Sequence, residues 1–105
     1  MGVGLSGLGR FSEAGLLILM SLADGDKHGY AMLLDIKATF DVKLGPGTLY
    51  QVLERLEERG LIEALPSTDR RRPYRLTAAG HTELESQLAT MQRFAAVGQQ
   101  RLAQP

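Results

Sequence analysis

Residues 44 to 62, LGPGTLYQVLERLEERGLI, decide the fold. Proline suits the first position of a helix, because its fixed φ is already helical and its missing N–H would have no partner there. Pro46 therefore starts a helix, with Gly45 at the cap position. Leu49, Val52, Leu53 and Leu56 follow the i, i+3, i+4, i+7 spacing that lines one helix face. Gly60 ends the run with a residue that tolerates left-handed backbone. At about 100° per residue the four apolar side chains face a core, leaving Thr48, Tyr50, Gln51, Glu54, Arg55 and Glu58 on the flanks and outside. This sorts the helix end to end. Gly47, Thr48, Tyr50 and Gln51, with the free N–H groups of the first turn, suit phosphates and base edges. Glu54 and Glu58 would meet an anionic partner unfavourably, so only the first half of the helix is fit to go deep.

Upstream, RFSEAGLLILMSLADG (residues 10 to 25) has Ser12 and Glu13 as a capping start and is apolar nearly all round from Ala14 to Ala23. That pattern predicts a buried first helix. Its apolar run falls far short of the roughly 20 residues that span a bilayer, and Glu13 stands where an export signal carries positive charge. In HGYAMLLDIKATF (residues 28 to 40), Tyr30, Leu33, Leu34 and Lys37 fall at helical spacing, with either Asp26 or His28 as the cap, and DVKLG ends this second helix. Residues 1 to 11 hold four glycines and little periodicity. They read as a mobile arm whose Leu5, Leu8 and Phe11 are available to dock on a partner.

Downstream, LIEAL (61 to 65) and PYRLT (73 to 77) alternate like strands around the polar loop PSTDRRR. The pair predicts a β-hairpin with a basic tip, since Arg70, Arg71, Arg72 and Arg75 lie close together with only Asp69 to oppose them. From Thr77 onward the chain reads as helix again. Leu84, Leu88, Met91, Ala95, Gly98 and Leu102 are spaced four, three, four, three, four, a heptad seam suited to a two-stranded coiled coil or a packed helix pair.

Three short helices, a hairpin and a final helix make a mainly α chain with a small β-hairpin (α+β). The order is that of a winged helix-turn-helix, in which the third helix enters the DNA major groove. The expected organisation is a flexible arm at 1–11, a DNA-binding winged helix at 12–77 and a dimerisation helix at 78–105. Twelve Lys and Arg balance twelve Asp and Glu, which excludes a uniformly basic coat and makes any anion-binding surface local. A basic wing tip can follow the minor groove or its phosphates. Without cysteine there is no disulfide framework or thiol chemistry, and the cytoplasm is the expected compartment. No nucleophile stands beside a base, no phosphate loop is present, and His28 and His81 lack metal-ligand neighbours, so no catalytic, metal or cofactor site is expected. An arginine run by itself suits a solvated loop, and Tyr50 suits packing as well as a groove; the conjunction of features carries the DNA reading. The rival is a winged-helix protein-interaction module that never touches DNA, which Glu54, Glu57 and Glu58 favour.

ILMSLADGDKHGYAMLLDI, LGPGTLYQVLERLEERGLIEAL and RRRPYRLTAAG resemble, in order and spacing, the PadR family of winged-helix transcriptional regulators over roughly residues 12 to 88. The resemblance implies a homodimer on a pseudo-palindromic operator that usually represses and often leaves DNA when a small molecule binds. It also implies that Pro46, Gly47, Thr48 and Tyr50 form the DNA-facing start of the third helix, that Arg70, Arg71 and Arg72 form the basic wing, and that Tyr30 lies near the DNA backbone. The residue pattern adds Gln51 and Arg55 to this DNA-binding set. The chain departs from the family in having Gly45 where serine is common and Gln51 where proline is common, so its operator preference is expected to differ. It has no tryptophan, which removes the aromatic sandwich that some short members use for planar ligands.

Overall fold

The computed structural model describes residues 12–68 and 70–104. Among these residues, four helices surround one core: α1 (Ser12–Ala23), α2 (Gly29–Phe40), α3 (Pro46–Glu58) and α4 (Ala78–Ala103). Between them lie β1 (Lys27–His28), β2 (Ile62–Ala64) and β3 (Pro73–Leu76). The expected arm, with Leu5, Leu8 and Phe11, and the expected capping role of the Ser12 side chain lie outside the described residues, as does Asp69.

The helix boundaries follow local chemistry. At α2 the choice between Asp26 and His28 falls to His28, whose Nδ1 accepts the Ala31 N–H at 3.3 Å. The helix ends on Asp41 at φ 57°, a short polar residue of the kind that enters the left-handed region. At α3, Pro46 occupies the first turn behind an extended Gly45, and Gly60 sits at φ 74° just past the end. Thr77 caps α4, its Oγ1 accepting the Gly80 N–H at 3.0 Å.

The core is built from Leu17, Ile18, Leu19 and Leu22 of α1, Met32 and Ile36 of α2, Leu49, Val52, Leu53 and Leu56 of α3, Ile62 of β2 and Leu84 of α4. As its sequence implied, α1 is buried on several sides and touches α2, α3, α4 and β3. A polar clasp pins its last turn to α2. The buried Ser21 hydroxyl donates to Asp35 Oδ2 at 2.7 Å, Thr39 donates to Asp35 Oδ1 at 3.0 Å, and Lys27 Nζ donates to the Ser21 carbonyl. The Ser21 hydrogen bond is the main cause that holds the Asp35 carboxyl below its ordinary pKa; partial burial opposes it.

The sheet corrects the two-stranded hairpin read from the sequence, because it has three antiparallel strands in the order β1-β3-β2. Ile62, Glu63 and Ala64 face Leu76, Arg75 and Tyr74, while Lys27 and His28 face Tyr74 and Pro73. A two-residue strand contains no alternation to read, yet β1 ties the entry of α2 to the wing. Arg75 also leaves the expected basic tip, since it sits within β3 and pairs across the sheet with Glu63 at 3.8 Å.

Candidate nucleic-acid interface

On α3 the buried residues Leu49, Val52, Leu53 and Leu56 define one side of the helix. At about 100° per residue the opposite side carries Gly47, Gln51, Glu54 and Glu58, all exposed. Tyr50 and Glu57 lie on the flank toward the wing, and Thr48 and Arg55 on the other. A Cβ built on Gly47 would meet nothing within 4 Å, so the first turn of α3 is open to an approaching surface.

Beside that turn lies a cleft of about 490 Å³ lined by His28, Gly29, Tyr30, Tyr50, Arg70, Arg71, Arg72 and Tyr74. Five of the residues expected to bind DNA, Tyr30, Tyr50, Arg70, Arg71 and Arg72, are thus brought together from three separate segments. Pro46, Gly47, Thr48, Gln51 and Arg55 remain on α3 outside the cleft. Sequence reasoning missed His28, Gly29 and Tyr74 as lining residues, although His-Gly-Tyr was visible as a motif. All three tyrosines of the chain converge here. Burial raises the Tyr74 phenol above its ordinary pKa, the Glu57 charge adds to the rise, and Arg72 opposes it. Tyr74 therefore keeps its proton at neutral pH and remains a donor, like any ordinary phenol. Phenolic donors and guanidinium forks together make a surface for phosphate oxygens.

Gly29 explains how Tyr50 reaches the cleft. A Cβ at this position would stand 2.7 Å from Tyr50 Oη, 3.0 Å from its Cζ and 3.1 Å from Leu49 Cδ2. The bare backbone lets the phenol cross the start of α2. Gly29→Ala is expected to push Tyr50 outward and to cost about 1–2 kcal/mol through overpacking. Urea unfolding and the Tyr50 ring resonances read both effects; unmoved resonances would show that the approach is not restrictive.

Among the described residues no group of three acidic, histidine or cysteine side chains is arranged to hold a metal ion. No described helix is long and apolar enough to cross a membrane.

The sequence profile of the transcriptional regulator PadR-like family matches residues 18–86. The chain belongs to this family. Over 85 residues it is 42% identical to an uncharacterized 37.1 kDa protein in a transposon of Streptomyces fradiae, covering 81% of this chain and 25% of that protein. The chain thus spans about a quarter of the length of that relative. It is 35% identical over 83 residues to a transcriptional regulator of Mycobacterium tuberculosis, covering 76% of this PadR-like chain and 77% of the relative. A PadR family transcription regulator from hypervirulent Clostridium difficile has a similar crystal structure, with a TM-score of 0.76 at 28% identity over 85% of this chain and 97% of that one. The winged-helix order inferred from the sequence, with α1–α3 followed by the β2–β3 wing, is the architecture found here.

On α4 the expected seam divides. Leu84 is buried in the core of its own chain, as are Gly80 and Gln87. Leu88, Met91, Ala95, Gly98 and Leu102 are exposed, Leu102 to 87%. At about 100° per residue, Gly80, Leu84 and Gln87 share a side of the helix with Met91, Gly98 and Leu102. The face that packs on α1 and β3 therefore runs on past the domain with none of the described residues covering it.

Proposed function

We propose that the protein is a sequence-specific, double-stranded-DNA-binding transcriptional regulator acting as a homodimer, a repressor on a pseudo-palindromic operator. The observation that carries this reading is the open first turn of α3 beside a cleft that gathers Tyr30, Tyr50 and three arginines on one surface. In this reading Gln51 and Thr48 meet base edges, Tyr30, Tyr50 and Arg70–Arg72 hold flanking phosphates, and Pro46 and Gly47 allow the helix start to come close. Arg55 lies on the far flank, one turn behind.

Residues 12–77 are the DNA-binding unit and residues 78–105 the dimerisation helix, working in the cytoplasm. The exposed stripe Leu88, Met91, Ala95, Gly98 and Leu102 on α4 supports pairing with a second copy, because a contiguous apolar face this long favours cover by a partner. A two-fold dimer would place its two α3 helices about one DNA turn apart, roughly 34 Å. Release from DNA on binding a small-molecule effector belongs to the same proposal, supported by membership of the PadR-like family.

Fluorescence anisotropy against the DNA flanking the coding region, at two salt concentrations, tests the reading. Saturable binding to one fragment, tighter than to scrambled DNA and weakened by salt, is expected. Equal affinity for every fragment, insensitive to replacement of the wing arginines, would favour the protein-interaction module instead.

A further inference from the structure

Two glycines mark close approaches around α3, and they differ in kind. Near its start, the atoms that a Cβ on Gly29 would meet are side-chain atoms of Tyr50 and Leu49, which can give way. Past its end, a Cβ on Gly80 would stand 2.0 Å from the Leu61 carbonyl oxygen and 3.0 Å from its carbon. The Leu76 side chain also comes within 2.8 Å, but the nearest approach is to backbone, so the first turn of α4 and the turn after α3 meet directly and Leu61 cannot give way as a side chain would.

Hydrogen bonds close the same joint. The Thr77 N–H donates to the Leu61 carbonyl at 3.1 Å, and the Thr77 hydroxyl donates to the Gly60 carbonyl at 2.6 Å while accepting the Gly80 N–H. On the other side, Gly60 N–H donates to Glu57 O at 2.9 Å and Leu61 N–H to Leu56 O at 3.0 Å, tying the turn to the last turn of α3. Thr77 thus caps α4 and grips the end of α3 with a single hydroxyl.

We propose that this joint is a positioning element, in which Thr77 and Gly80 set the angle between α3 and α4 and thereby the half-site spacing that the dimer reads. The inference rests on the DNA-binding dimer proposed above. Its magnitude follows from the length of α4. Twenty-six residues make a rod of about 39 Å, and tilting such a rod by ~5° moves its far end by about 3 Å. The axial rise per base pair is about 3.4 Å. A few degrees lost at the joint therefore amount to one base pair of spacing.

The test separates gripping from capping. Thr77→Ser keeps both roles; Thr77→Asp keeps an acceptor for the Gly80 N–H but has no donor for Gly60. Each variant and the wild type are titrated with duplexes carrying the mapped half-sites at spacings changed one base pair at a time. Melting and light scattering confirm that each is folded and dimeric. Wild type and Thr77→Ser are expected to prefer one spacing by about tenfold or more, and Thr77→Asp to lose most of that preference. A folded, dimeric Thr77→Asp that retains the wild-type spacing preference would overturn the joint while leaving DNA binding intact. Should Thr77→Asp fail to fold, Gly80→Ala decides by the same readout, because its Cβ would wedge against the Leu61 carbonyl while the Thr77 hydroxyl, and with it the cap, is kept. A wild type that binds no duplex would overturn the DNA reading, and the inference with it.

Discussion

Replacing Arg70, Arg71 and Arg72 together by alanine will weaken operator binding on the order of 100-fold near physiological salt and flatten its salt dependence. Each arginine–phosphate contact contributes about 0.9 to the slope of log affinity against log salt, so three lost contacts remove about 2.7. Between 50 and 200 mM salt the wild type should lose about 40-fold more affinity than the variant. The three side chains are exposed and lie outside the core, so stability should change by no more than about 0.5 kcal/mol. Arg75 provides the control. It is occupied with Glu63 inside the sheet, and Arg75→Ala should leave the salt slope close to wild type. Anisotropy titrations at four salt concentrations read all of this. An unchanged slope in the triple variant would remove the wing from the interface and return the glutamates of α3, Glu54, Glu57 and Glu58, to prominence as a protein-docking surface.

What the sequence made legible was what local chemistry and periodicity determine. Pro46 behind Gly45, Gly60 past the last apolar turn, and a four-residue stripe between them leave α3 little alternative, and the structure has it from Pro46 to Glu58. The third strand was not legible, because Lys27 and His28 are strand only by virtue of β3, some 45 residues away along the chain. The cleft was half legible for the same reason. Tyr50 and the arginines stood out by type and position, whereas Tyr74 looks like any strand residue until pairing brings it opposite Lys27. On α4 the heptad spacing was evident, but spacing says nothing about which surface covers each position. Leu84 turns out to be claimed by the core of its own chain, and the joint at Thr77 and Gly80 depends on a backbone approach that has no sequence period at all.

Leu88→Glu will convert the protein to a monomer and, through that, abolish tight operator binding. Leu88 is the first residue of the seam beyond the domain core, 37% exposed in the single chain, and it lies one turn past the buried Leu84. In a two-fold dimer the substitution appears twice. It deletes two apolar anchors and places two like charges at a shared interface, each left without a compensating partner. Even a modest ~2 kcal/mol per site makes about 4 kcal/mol per dimer, roughly a thousandfold in the dimer dissociation constant. The domain itself should remain folded, because the core from Ala14 to Leu84 does not include this side chain. Light scattering at micromolar concentration reads the mass, and anisotropy reads the operator. Val97 supplies the internal comparison, since at about 100° per residue it lies well round the helix from the Leu88, Ala95 and Leu102 stripe. Val97→Glu should leave the dimer assembled. A Leu88→Glu protein that stays dimeric, or a Val97→Glu protein that falls apart, would place the two-fold contact on another face of α4, and the predicted separation of about one DNA turn between α3 helices would have to be rebuilt from that face.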